Sequence, residues 1–226
     1  MGENLQSKGP VGLTIENETN INFTDTDSHI PIIAVTGTNG KTTTTRLVAY
    51  IMKQAGFKVG FTCSDGIYIQ GELVEKGDCS GPVSAELVLK NKNIDFAVLE
   101  CARGGILRAG LAFNHCEVAI ITNVAEDHLD LKGINTLQQL ADVKVIVALA
   151  VKPEGYAILN ADDDLVYAIH DKLSCNLAYF SHDPNNQRIA AHCAKGGIAI
   201  VPENGSLTIL CGTAKIPVAP LSNIPI

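Results

Sequence analysis

The feature that most constrains this chain is the succession, over residues 30–55, of an apolar run, a glycine-bearing loop and an amphipathic segment. Residues 30–35, Ile-Pro-Ile-Ile-Ala-Val, are almost wholly apolar, which suits a strand buried on both faces. Thr36-Gly37-Thr38-Asn39-Gly40-Lys41-Thr42 follows. Then Leu47, Val48, Ile51, Met52 and Ala55 recur at helical spacing before Gly56, a natural stop. A loop that wraps phosphates needs inward-pointing backbone N–H groups and little side-chain bulk, which Gly37 and Gly40 allow. Lys41 can reach the outer phosphates and Thr42 can offer its hydroxyl to magnesium. The helix N-terminus points at the same anion. Gly37, Thr38, Asn39, Gly40, Lys41, Thr42 and Thr43 are therefore the expected cradle for ATP. The general pattern G-x-x-x-x-G-K-[ST] is not met in full, because Val35 stands at its first glycine. The competing reading of the segment is a tight strand-to-helix turn with no ligand.

The alternation continues downstream. Residues 95–100, 117–123, 156–160 and 176–181 read as strands, and 136–151 and 162–173 as helices. Strands alternating with helices imply an α/β fold: three layers, α/β/α, around a mainly parallel sheet. The last segment differs. Residues 189–194, 197–202, 206–211 and 214–219 are short extended runs separated by Lys195-Gly196-Gly197, Asn204-Gly205-Ser206 and Gly212. Those are hairpin signals, so a small antiparallel β segment is expected at the C-terminal end. Residues 1–29 read as a linker or lead-in, and 30–226 as one ATP-binding domain.

Net charge is −7, which argues against nucleic acid or a membrane surface as partner. No apolar run reaches the roughly 20 residues that cross a bilayer, and the polar N-terminus lacks a signal-peptide core. A cytoplasmic protein is expected. The seven cysteines are scattered without a C-x-x-C pair, so reduced, mostly buried thiols are expected rather than a zinc or disulfide framework. Oligomeric state is left open; a homo-oligomer is compatible with the sequence.

In an open α/β sheet, ligands bind beyond the carboxyl ends of the strands. Glu100 ends one predicted strand, Asn123 another and Asn160 a third, with Asp162 and Asp163 just beyond; His128 lies in Glu126-Asp127-His128-Leu129-Asp130. A carboxylate and an imidazole near a triphosphate suit magnesium, although magnesium prefers oxygen. The bland alternatives are a salt-bridged surface glutamate and a loop-ordering histidine. Lys144 falls within the apolar stripe Leu137, Leu140, Ala141, Val147, Ala148, Val151. A lysine there must snorkel out, find a partner or lose its charge.

T-G-T-N-G-K-T, a glutamate closing a strand, T-N-V-A-E-D-H-L-D, the lysine at 144 and L-N-A-D-D together resemble the central ATPase domain of the Mur ligase superfamily. Residues 61–69, 99–111 and 136–144 look like its cyanophycin synthetase branch. The resemblance covers about residues 30–220. It implies that Lys41 and Thr42 hold the β/γ phosphates and a magnesium ion, and that Glu100 and His128 ligate magnesium. Asn123, Asn160 and Asp163 would help position the nucleotide or the site. Lys144 matches the lysine that many Mur ligases carbamylate, so Lys41, Lys144 and His128 are the implied catalytic residues. Asp65, Arg103 and Arg108 lie in branch-specific segments that would touch a peptide. The implied reaction is ATP-dependent amide formation, with arginine joined to an aspartate-containing peptide. The implied partners also include N- and C-terminal domains beyond this sequence, which would make it a fragment. Other branches extend folate with glutamate or build cell-wall peptides, and a truncated, non-catalytic nucleotide-binding module is a further alternative.

Overall fold

The structure is a computed structural model and describes residues 13–15, 19–21, 29–126 and 133–224. Within the expected lead-in lies an antiparallel pair, β1 (Leu13–Ile15) and β2 (Thr19–Ile21). The chain then runs β3 (Ile32–Thr36), α1 (Lys41–Gln54), β4 (Val59–Cys63), β5 (Gly66–Ile69), β6 (Glu72–Lys76), α2 (Pro82–Leu89), β7 (Phe96–Glu100) and α3 (Arg103–Ala109). It continues with β8 (Cys116–Ile121), α4 (Leu137–Leu149), β9 (Val151–Asn160), α5 (Asp164–Tyr167), β10 (Asn176–Phe180), α6 (Gln187–Ala194), β11 (Ile198–Glu203), β12 (Ser206–Cys211) and β13 (Ala214–Pro220).

Eleven of these strands form one sheet in the order β13-β12-β11-β10-β9-β8-β3-β7-β4-β5-β6. The central seven, from β11 to β4, are parallel. Strand β3 sits between β8 and β7, so the glycine loop leaves the middle of the sheet. The pleat sorts the apolar runs between two faces. Val35, Phe96 and Val98 pack with Ala49 of α1 on one side. Ile32, Ala34, Ala97 and Leu99 pack with residues of α2, α3 and α4 on the other. Burial on both faces explains why β3 and β7 read as continuous apolar runs.

Two expectations are corrected. Residues 189–194 form helix α6, not an extended run. Asn186 caps it by accepting from the Arg188 N–H, and Ile189 and Cys193, four apart, are its buried residues. Because α6 crosses over, β11 lies parallel to β10; only β12 and β13 are the antiparallel strands expected there. A second antiparallel pair, β5 and β6, extends the opposite edge. All seven cysteines are free thiols. Among the described residues, no helix is long and apolar enough to cross a membrane.

Candidate functional site

The glycine loop is built to leave donors unclaimed at the start of α1. Gly40 caps the helix in the left-handed region (φ 81°), without a side-chain acceptor, and no acidic residue occupies the first turn. The first N–H groups of this 14-residue helix are thus suited to an anion, with the dipole behind them. The loop is held from behind by the turn after β8. The Thr38 N–H donates to the Asn123 carbonyl at 2.9 Å, and the Asn39 N–H to Asn123 Oδ1 at 2.9 Å. Asn123 Nδ2 returns a bond to the Asn39 carbonyl (3.1 Å), which also accepts from Thr122 Oγ1 (2.7 Å). Lys41 Nζ donates to its own loop, at the Thr38 carbonyl (2.7 Å).

In front of the loop opens a cavity of about 520 Å³ lined by Gly37, Thr38, Lys41, Thr42, Ser64, Asp78, Ser80, Glu100, Arg103 and Lys144, with Ala102, Gly104 and Leu140. Glu100, at the carboxyl end of β7, is only 3% exposed. Its Oε2 accepts from Thr42 Oγ1 at 2.8 Å and from the Ser64 N–H at 3.2 Å; Ser64 Oγ lies 2.8 Å from Thr42 Oγ1. Burial raises the Glu100 carboxyl above its ordinary range, while the bonds from Thr42 and Ser64 and the charge of Lys41 pull it back. A buried carboxylate that accepts from one hydroxyl and one backbone N–H is a group that a small hard cation would complement. Among the described residues no three His, Cys, Asp or Glu side chains gather as a ready-made metal cluster.

Lys144, on α4, also lines the cavity. Helix α4 starts at a capping box in which Gln139 N–H donates to Thr136 Oγ1 (3.2 Å) and Gln139 Oε1 accepts from the Thr136 N–H (3.2 Å). That start fixes which residues of α4 turn inward. Lys144 is 2% exposed, with Leu140 one turn before it on the same cavity wall. It does not snorkel to solvent.

The other expected residues stand elsewhere. Asn39, Gly40 and Thr43 are exposed and do not line the cavity. Asn123, Asn160 and Asp163 form a second tier behind the loop. Asn160 Nδ2 donates to the Thr122 carbonyl (2.9 Å), and Asp163 Oδ2 accepts from the Val124 N–H (2.7 Å) while its other oxygen caps α5. Asp65 pairs with Arg46 at 3.1 Å; Arg108 lines a neighbouring groove. His128 lies outside the described residues. Asp78 and Ser80 carry no motif that marks them in the sequence, whereas Ser64 falls within the branch-like segment 61–69. Ser64 follows the carboxyl end of β4, and the strand-end rule that marks Glu100 applies to it equally. Asp78-Cys79-Ser80-Gly81-Pro82 is an Asx-type turn into a proline-started helix.

A phosphate loop leaving the middle of a parallel sheet, facing a buried carboxylate and a buried lysine, defines a nucleotide-binding domain of P-loop type. The Mur ligase middle domain profile matches residues 35–213, and the chain belongs to that family. It is 54% identical over 200 residues to cyanophycin synthetase of Synechocystis sp., covering 88% of this chain and 23% of that protein. The corresponding protein of Crocosphaera subtropica is 52% identical over 201 residues, covering 89% and 23%. The chain thus spans about a quarter of the length of these curated relatives. Among solved structures, UDP-N-acetylmuramoyl-L-alanyl-D-glutamate--2,6-diaminopimelate ligase superposes with a TM-score of 0.64 at 22% identity, covering 84% of this chain and 39% of the other, which shows the shared fold.

Proposed function

We propose that this chain is the ATP-binding domain of a ligase that activates a carboxylate as an acyl phosphate and passes it to an amine. The observation that carries the reading is the single cavity bounded by Lys41, Thr42, Glu100 and Lys144. Binding magnesium nucleotide would use the buried carboxylate but would have no need of a buried lysine on the same cavity as well. In the reaction, a carboxylate oxygen of the acceptor attacks the γ-phosphorus of ATP, and ADP leaves. The amine then adds to the acyl carbon and phosphate leaves, forming the amide. Lys41 gives up the Thr38 carbonyl for the outer phosphates. The α1 N-terminus holds the same phosphates through its free N–H groups. Thr42 and Glu100 are the residues that would hold magnesium, and His128 is a further candidate ligand. Magnesium would offset the phosphate charge. Asn123, Asn160 and Asp163 keep the loop in register from behind.

The amine is read as that of arginine and the acceptor as an aspartate-containing peptide; the identity of over half to the cyanophycin synthetases supports this. Lys144 is read as the carbamylated lysine, its amine adding to carbon dioxide with loss of a proton to give an anion on the cavity wall. Carbon-13 NMR under labelled bicarbonate checks that directly; a bare amine in active, nucleotide-loaded protein would count against it. The central test is arginine- and primer-dependent phosphate release by the parent protein. Lys41→Ala should lower it by at least 100-fold, and full activity in that variant would overturn the reading.

A further inference from the structure

A second opening lies beside the cavity. It measures about 190 Å³ and is lined by Asp78, Ser80, Gly81, Pro82, Val83 and Ser84 on one side and Gly105, Arg108 and Ala109 on the other. Asp78 and Ser80 line both this groove and the 520 Å³ cavity. Their segment is therefore a shared wall.

The wall is ordered. Asp78 Oδ1 accepts from both Ser80 Oγ (2.5 Å) and the Ser80 N–H (3.2 Å). Ser80 is buried, and its carbonyl accepts from the Ala102 N–H at 3.0 Å. One oxygen of the Asp78 carboxylate is thereby fixed. Opposite, the Arg108 guanidinium lies over Gly104, whose missing side chain would stand 3.5 Å from its nearest nitrogen. Gly104 itself lines the cavity. The two helix starts that form the groove meet glycine to glycine: a Cβ on Gly105 would stand 2.9 Å from the Gly81 Cα. Among the described residues Asp78 and Arg108 border one opening without pairing to each other. An anion and a cation separated across an amino-acid-sized opening suit a ligand that carries both charges.

We propose that this groove is the subsite for a zwitterionic aminoacyl unit, free or at a peptide end. Asp78 takes its cationic group at the wall shared with the ATP cavity, and Arg108 takes its carboxylate. The inference rests on the ligase reading, because that reading requires a carboxylate and an amine to meet beside the γ-phosphate. The groove adjoins that cavity through Asp78 and Ser80, and it sets Asp78 and Arg108 on one opening.

Calorimetry on this chain, with magnesium and ATP present, separates the possibilities. The probes are L-arginine, an aspartyl-arginine dipeptide, agmatine, which lacks the carboxylate, and acetate, which lacks the cation. Saturable binding of L-arginine or the dipeptide is expected, whichever is tighter naming the source. Agmatine and acetate should be at least 10-fold weaker. Arg108→Gln and Asp78→Asn should each weaken the zwitterion by at least 10-fold, and Arg108→Gln should leave ATP affinity within twofold. Wild-type zwitterion affinity in both variants, or no saturable binding of either zwitterion while ATP binds, overturns the subsite and leaves the ligase reading standing. Zwitterion binding that depends on Asp78 and Arg108 in a chain that binds no ATP keeps the subsite and removes the ligase reading.

Discussion

Gly37 and Gly40 sit in one loop yet meet different constraints. A Cβ on Gly37 would stand 1.8 Å from Thr122 Oγ1 and 3.2 Å from the Asn123 nitrogen, with φ at 149°. Thr122 cannot simply swing away, because its hydroxyl holds the Asn39 carbonyl. Around Gly40 nothing lies within 4 Å, and only its φ of 81° resists a side chain. Gly37→Ala should therefore cost about 2–4 kcal/mol by urea unfolding, from overpacking plus backbone strain, and Gly40→Ala only about 1–2 kcal/mol. Equal losses would show that the close approach to Thr122 yields freely. In the proposed function, Glu100 opposes stability to activity. Its carboxyl is raised by burial, so the charged form is disfavoured in the fold, and acidification through that raised pKa relieves the penalty. Without nucleotide, Glu100→Gln should leave the melting temperature unchanged or higher, while ligase turnover of the parent protein falls by at least 100-fold. A lower melting temperature without nucleotide would mean that the charge is well satisfied by Thr42 and Ser64. Gly37 and Glu100 are both legible in the sequence, one as a loop glycine and the other as a strand-ending acid. The reason Gly37 must be glycine is not, since the Thr122 that it meets lies 85 positions away in the chain.

The elements divide between those whose ends are written locally and those set by packing. Helix α4 begins where Thr136 and Gln139 place a capping box; removing the threonine hydroxyl should cost about 1 kcal/mol in Thr136→Ala. Because that start also sets the turn carrying Lys144, parent-protein turnover should fall along with stability, and Thr136→Ser should restore both. Helix α6 is legible only in part. Residues 189–194 are short and apolar at nearly every position, a pattern that strand and helix share, and the hydrogen-bonded cap at Asn186 lies outside the run. Strands β5 and β6 escape notice in the sequence because β6 is exposed throughout and carries no apolar alternation. The packing of α6 brings its own pH dependence. His192 stands edge-on to Tyr179 at 4.7 Å between ring centres, and a side chain at Gly197 would enter its ring. Burial lowers its pKa below the ordinary 6.5, against the favourable influence of the Leu177 and Ile198 backbone and alongside the charge of Lys195. The fold thus holds it neutral. Its contribution is present above pH 6.5 and is lost as pH falls through 6.5 toward the lowered value. Chemical unfolding between about pH 7.5 and 5.5 should show stability dropping over that range, with a flatter profile in His192→Gln.

At the scale of the molecule, the site is assembled from the ends of strands that are distant in sequence but adjacent in one sheet. β3 supplies the loop, β7 supplies Glu100, β4 leads into Ser64, and α4 brings Lys144 from the layer behind. The alternation of strands and helices foretells this edge. It does not foretell Asp78 and Ser80, which reach the cavity through a turn after an edge hairpin. Since phosphate would engage donors at the centre of the sheet, nucleotide binding should stabilise the entire cooperative unit and not the loop alone. At a magnesium–ATP concentration about 100 times its Kd, linkage predicts roughly 2.7 kcal/mol of added stability. Lys41→Ala should retain the fold, because among the described residues Lys41 Nζ bonds a carbonyl of its own loop, yet lose most of that gain. Glu100→Gln should keep the gain from ATP alone and lose the increment due to magnesium. Thermal unfolding of the three proteins, each with no ligand, ATP with chelator, and ATP with magnesium, separates the two contributions. A magnesium increment undiminished in Glu100→Gln would remove Glu100 from the ligand set and leave phosphate oxygens, Thr42 and His128 as its members.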